Sequence, residues 1–286
     1  MKRNACLLML LIPFVFMACG NGASAPAELS EEANAAAVDI EKAVKPEAKT
    51  AAVSGPSGFQ SIADFSEAWN ELFKQNESAI NSFEGMPIME LITPQLTFVT
   101  SVQYDGLNLN HTAGRHEGKL ILAGFDGFVE KTADKIVFGY DAVRDKDGMG
   151  SIAQKGDHLL HKGFLETDPG YYHAEEIVER EGKTISRSIN EFKRLADGSM
   201  IALYISGKAL NFRGDSDPRA TIVFLHNGPQ RYDFVIAKSE AGPEFVSMSF
   251  SDKGDLTRDQ AMELFKSAGY TVEKTGGIRD GKLFTD

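Results

Sequence analysis

YHAEEIVEREGKTISRSINEFKRL, residues 172–195, holds two β-prone runs laced with charge, Tyr172–Arg180 and Thr184–Leu195, on either side of Gly182. A glycine between two such runs predicts a long antiparallel hairpin. The same pattern continues on both sides. Upstream, Leu96, Phe98, Thr100, Val102 and Tyr104 alternate with Thr97, Ser101 and Gln103 before Asp105-Gly106, which reads as a strand and a turn. Leu120–Ala123 leads to Asp126-Gly127, Ile136–Tyr140 to Asp147-Gly148, and His158–Leu165 to Asp168-Pro169-Gly170. These turn signals stand 21 residues apart, the length of a two-strand unit, and the residues between them do not repeat. Downstream, Met200–Ser206, Ala220–His226, Tyr232–Ala237 and Phe245–Phe250 extend the series, with Asp197-Gly198 and Asn227-Gly228 as tight turns.

A helix is expected at each end of this run. Ser61 and Asp64 have capping-box spacing, and Ile62, Phe65, Trp69, Leu72, Phe73, Ile80 and Phe83 share one face before Gly85 and Pro87. A second helix starts at Thr257, boxed with Gln260. It offers Ala261, Leu264, Phe265 and Ala268 for burial and stops at Gly269, with Tyr270 and Val272 as a short last strand. The order is helix, about ten antiparallel strands, helix, without βαβ alternation. The expected fold class is α+β, predominantly antiparallel β: a long meander forming a curved sheet or open barrel, with an N-terminal and a C-terminal helix packed on it.

The first residues carry a different message. Lys2 and Arg3 precede an apolar stretch, Leu7–Ala18, too short to span a bilayer. Phe16-Met17-Ala18-Cys19 closes it. This leader resembles that of the bacterial lipoprotein class, with Ala18 and Cys19 on the small residue and the lipid-carrying cysteine, and Phe16 and Met17 replacing the usual Leu and small residue. The resemblance implies a signal peptide over 1–18 and acyl chains on Cys19. It also implies a membrane anchor in the cell envelope, with Gly20 after the cysteine pointing to the outer membrane. The alternative is ordinary cleavage at Ala23-Ser24-Ala25 or Ala25-Pro26-Ala27; both sites lie beyond the apolar stretch, and the first would place Pro26 at the scissile bond. Residues 19–57, with eleven alanines from 20 to 57, have linker composition and read as a tether; 58–286 reads as a single β-rich domain.

Composition narrows the chemistry. The two cysteines are Cys6 and Cys19, so a chain starting at Cys19 has no further thiol for a disulfide, a nucleophile or a metal. Loss of Lys2 and Arg3 takes the formal charge from −11 to −13, which argues against nucleic acid or anionic headgroups as partners. No cofactor is expected. Gly148-x-Gly150-x-x-Ala153 lacks the helix a dinucleotide fingerprint needs, and Asp145-x-Asp147-Gly148 lacks the distal carboxylates of a calcium loop. Arg213-Gly214-Asp215 is a tripeptide of low specificity. Five histidines, His111, His116, His158, His161 and His173, fall close together in sequence; on a strand His158 and His161 point to opposite faces, so no metal site and no catalytic residue is assigned.

The expectation is a membrane-anchored envelope lipoprotein presenting a non-catalytic β-rich binding domain, whose partner is another envelope protein or a hydrophobic ligand. A carrier of lipids or other hydrophobic ligands is the alternative. A helix followed by a long antiparallel meander is similar in outline to the half-barrel envelope carriers of lipids and lipoproteins. In such a carrier Leu96, Phe98, Leu120, Leu122, Ile136, Phe138, Tyr140, Leu203, Ile205, Phe224, Tyr232 and Phe234 would line a cavity; in a closed core they would pack. A hydrolase would require acidic side chains to meet a histidine in a cleft.

Overall fold

The computed structural model describes residues 58–80, 102–108, 112–120, 123–146, 153–207, 219–227, 231–239, 249, 256–279 and 282–286. Cys19, the leader, the tether, His111, Arg213-Gly214-Asp215 and most of Phe245–Phe250 lie outside them. Eleven strands form one antiparallel sheet in chain order: β1 (Gly114–Lys119), β2 (Asp126–Lys131), β3 (Lys135–Val143), β4 (His158–Glu166), β5 (Tyr171–Arg180), β6 (Lys183–Arg194), β7 (Met200–Ser206), β8 (Arg219–Leu225), β9 (Tyr232–Lys238), β10 (Thr271–Arg279) and β11 (Lys282–Thr285). The sheet is curved and unclosed, with β1 and β11 as its edges. Among the described residues two helices accompany it, α1 (Ile62–Ile80) and α2 (Arg258–Ser267). The α+β class and the antiparallel meander are as the sequence predicts. Among the described residues no helix is long and apolar enough to cross a membrane.

The β5–β6 hairpin turns through Glu181 and Gly182, both at positive φ, the conformation a two-residue turn needs to match strand twist. The helix after Thr257 has both halves of its capping box. At Ser61 the box is displaced: the Ser61 hydroxyl accepts from the Asp64 N–H at 3.0 Å, but the Asp64 carboxylate takes the Gln60 N–H at 3.1 Å.

Three expectations are corrected. Val102–Asn108 is a 3-10 turn, not the end of a strand. Tyr104 and Leu107, three apart, both pack on the core, and Asp105 turns back to accept from the Ile62 and Ala63 N–H groups. Leu120 and Phe125 close the β1–β2 turn through a 2.8 Å bond, so Asp126-Gly127 begins a strand where a turn was expected. The chain after α2 makes two strands, because Gly276 and Gly277 continue β10. A Cβ on Gly277 would strike the Tyr232 carbonyl, and one on Gly276 would meet the Phe234 ring and the Phe284 carbonyl. Glycine here permits close approach instead of breaking the strand.

Strand alternation divides the core in two. On one face α1 runs across the strands, Phe65 stacking on Tyr172 of β5 and Trp69 meeting Phe192 of β6 edge-on at 5.0 Å. Ile136, Phe138, Tyr172, Ala202, Val223 and Phe234 share that core. On the other face α2 sets Ala261 and Phe265 against Leu203, Ile205, Phe224 and Val235. The apolar residues proposed to line one cavity therefore do not. Leu120, Ile136, Phe138, Tyr140, Tyr232 and Phe234 belong to the α1 side, Leu203, Ile205 and Phe224 to the α2 side. Leu96, Phe98 and Leu122 lie outside the described residues.

Phe65→Ala should cost about 3–5 kcal/mol of unfolding free energy in a denaturant titration, whereas Val137→Ala, on an exposed strand position, should cost under about 1 kcal/mol. Equal costs would show that α1 does not seal the core. A pH series tests the seat of α1. Burial outweighs the two backbone bonds to Asp105 and pushes its carboxyl up to about 7. Unfolded, the group titrates near about 4, so between about 4 and 7 only the folded state holds the proton. Its stabilising contribution is full below about 4 and is lost as pH rises through about 7. Asp105→Asn should flatten that slope, and an unchanged slope would refute the assignment.

Candidate functional site

Register places polar side chains in rows on the α1 face. Beside the apolar row that α1 covers runs Phe138–Gly163–Ala174–Asn190–Tyr204–Thr221, each residue paired directly with the next across β3 to β8. One step further lies Tyr140–His161–Glu176–Ser188–Ser206–Arg219, which ends on a cation ion-paired with Glu273 at 3.6 Å. Directly paired residues project to the same side, so these two rows form one strip, apolar at Phe138 and Ala174 and polar at Asn190, Tyr204 and Thr221 and along the second row. Asn190, Tyr204 and Ser206 are buried, while Tyr140, His161, Glu176 and Ser188 are half-buried. The strip is open toward β3–β5 and closed at depth.

Between Tyr140 and Ser188 its electrostatics are those of a low-dielectric surface, where burial disfavours charge at both His161 and Glu176. Rings of Tyr104, Phe138 and Tyr140 enclose the His161 imidazole, at 5.6, 6.0 and 5.3 Å between centroids. Part of its edge remains accessible, yet burial pulls its titration down to about 4 and leaves it neutral near pH 7. A neutral ring bonded at Nδ1 by the Tyr104 hydroxyl, 2.6 Å away, carries its proton on Nε2 when that hydroxyl donates. Burial likewise raises the Glu176 carboxyl, whose partner is the Tyr140 hydroxyl, donating to Oε2 at 3.3 Å. Asn190 is 4% exposed and its Oδ1 has no hydrogen-bond partner among the described residues. Trp69 Nε1 and Asn76 Oδ1 on α1 are unpartnered in the same sense.

The opposite face treats charge differently. Glu175, next to Glu176 in β5, accepts from Arg187 at 2.7 Å and pairs with Lys162 at 3.1 Å. Burial works against its charge, and these two cations outweigh it, holding the carboxyl below its ordinary value. Glu191, with no exposed surface, accepts from Tyr171 at 2.6 Å and lies 3.0 Å from His173 Nδ1.

The histidines separate as strand alternation dictates. His161 faces α1; His158 faces away, between Asp141 at 2.6 Å and Glu179 at 3.1 Å, which raise its pKa. His116 is half-buried on the edge strand β1, and His226 meets Asp233 at 2.8 Å. Among the described residues no three His, Asp or Glu side chains converge in a metal-binding arrangement. Nor does a hydroxyl bond the second ring nitrogen of His173, as a nucleophile would beside the His173–Glu191 pair. Sequence reasoning assigned no role to Glu176 or Asn190. The available signal was a charged or amide residue at the inward position of a strand, at Ala174-x-Glu176 and Asn190-x-Phe192.

The two faces make opposite predictions for adjacent residues. Glu175→Gln removes the partner of two cations and should destabilise by about 1–3 kcal/mol near pH 7. Glu176→Gln replaces a carboxyl that burial already disfavours as an anion and should change stability by under about 0.5 kcal/mol or increase it. Parallel urea titrations measure both, and equal losses would contradict the asymmetry. Comparison of the chain with protein-family models, with curated proteins and with solved structures found no match.

Proposed function

We propose that this chain is a lipid-anchored cell-envelope protein, held at Cys19 and carried on the alanine-rich tether, whose β-domain binds a ligand on the α1 face without catalysing a reaction. The observation that supports the binding reading is a buried Asn190 Oδ1 with no hydrogen-bond partner among the described residues, near a Glu176 met there only by a tyrosine hydroxyl, on the face where α1 and the sheet otherwise pack apolar groups. A buried polar group without a partner costs folding free energy, about 1–3 kcal/mol, which a ligand able to bond it recovers. The acyl-carrier alternative has less support, since the apolar residues it would use are split between two packed cores. Two acyl chains on Cys19 would hold the protein stably, at about 0.8 kcal/mol per buried methylene.

Anchoring and binding are tested separately. In a bacterial host, the chain should incorporate radiolabelled palmitate and sediment with membranes, and Cys19→Ser should abolish the label. Label retained in Cys19→Ser overturns the anchor. Native mass spectrometry of the full chain, released gently from membranes, should show an adduct that denaturation removes. A bare polypeptide mass counts against ligand binding.

A further inference from the structure

Taking the binding reading as its basis, the geometry points to a neutral, hydroxyl-rich ligand, a saccharide unit, seated on the strip between Tyr140 and Asn190. Three features of the strip converge on that chemistry. The first is hydrogen-bond complementarity. Asn190 Oδ1 is a buried acceptor with nothing donating to it, Trp69 Nε1 a buried donor with nothing accepting, and Asn76 Oδ1 a second idle acceptor on α1. Trp69 packs on Phe192, two residues along the same face of β6 from Asn190. A hydroxyl group donates and accepts at once, so a set of hydroxyls satisfies both kinds of orphan. An acyl chain would satisfy neither and would seal them in.

The second feature is the floor. Ala174 lies between Gly163 and Asn190 in the register, and Phe138 lies over Gly163, where an added Cβ would meet its ring. Ala174, 1% exposed, adds little bulk beside Asn190, and aromatic residues stand in the rows around it: Phe138 and Tyr140 in β3, Tyr172 in β5 and Tyr204 in β7. Apolar ring faces with a few fixed polar groups suit a sugar ring, which presents C–H faces above and below and hydroxyls around its edge.

The third is charge. On the opposite face Glu175 is met by Arg187 and Lys162, whereas on the strip Glu176 is met by a tyrosine hydroxyl and faces neutral His161 across the ladder. Among the described residues, an anionic ligand would find no cation bonded to Glu176. A peptide strand would seek the hydrogen bonds of a sheet edge, which the face of a sheet does not offer.

The test uses the full chain, extracted in an amine-oxide detergent so that no glycoside competes. Trp69 is the one tryptophan, and its emission reports directly on the strip. An array of neutral glycans is screened, and each positive is titrated against Trp69 fluorescence beside a fluorescent fatty acid. The expected result is saturable binding of a neutral glycan, weakened about tenfold or more in Asn190→Leu while that variant's own thermal midpoint holds or rises. Tyr140→Phe, at the open end of the strip, should weaken it several-fold, and it serves as the second variant if leucine at 190 prevents folding. No glycan response at about 1 mM, or a glycan affinity indifferent to both Asn190→Leu and Tyr140→Phe, overturns the saccharide assignment. Fatty-acid binding in its place overturns that assignment and leaves the binding module standing. Failure of both ligands, together with a bare mass in the native spectrum, removes the binding module too.

Discussion

A meander of eleven strands has two faces to cover and, among the described residues, two helices with which to cover them. That constraint orders the molecule. Strands β7, β8 and β9 sit where α1 and α2 both act, and nearly every residue of Met200–Ser206, Ala220–Leu225 and Tyr232–Ala237 is buried. An antiparallel strand with one wet face alternates apolar and polar; these read as continuous apolar runs because neither face is wet. Away from the helices the alternation returns. β2 and β3 carry a mixture of buried and exposed positions, and β1 is mostly exposed.

How much of this could be read from the chain follows from where the information resides. The β5–β6 hairpin, the apolar run at Met200–Ser206 and the capped α2 were legible because each is specified locally, by a turn, a pattern or a cap. The 3-10 turn at Val102–Asn108 was not. Its conformation depends on Asp105 reaching the first N–H groups of α1, 42 and 43 residues earlier, and on Tyr104 stacking with His161, 57 residues later. Asp126-Gly127 misled because a good turn dipeptide lay beside the turn that the chain actually makes. Gly276-Gly277 misled in the opposite sense: two glycines that look like a break are there because two neighbouring carbonyls and two aromatic rings leave no room for Cβ atoms.

The division of apolar residues between two cores was legible in principle and was missed by pooling. Leu203 and Ile205 share a parity, Ala202 and Tyr204 the other, and period-two geometry assigns them to different faces. Applied strictly, the same parity separates Glu175 from Glu176 and places Asn190 beside Phe192, under α1. What parity could not supply was the partners. That Glu175 would meet Arg187 and Lys162, and Glu176 a tyrosine, depends on the register of β4, β5 and β6 together.

Adjacent glutamates with opposite environments also bear on why the strip is polar at all. If the α1 face served only to close a core, an apolar residue at 176 or 190 would pack against Ala174 and Phe192 without the desolvation that the carboxyl and the amide incur. Elsewhere the fold supplies cations to buried carboxylates, at Glu175 on the opposite face and at Asp157, which Arg180 meets at the end of β5. Next to Glu176, among the described residues, it supplies none, and the resulting surface is aromatic and carries idle hydrogen-bonding groups. Such a surface discriminates by leaving the wrong ligand's partners unbonded, a penalty that grows with burial. The deep end at Asn190 and Tyr204 would then govern selectivity, and the half-open end at Tyr140 and His161 would govern access.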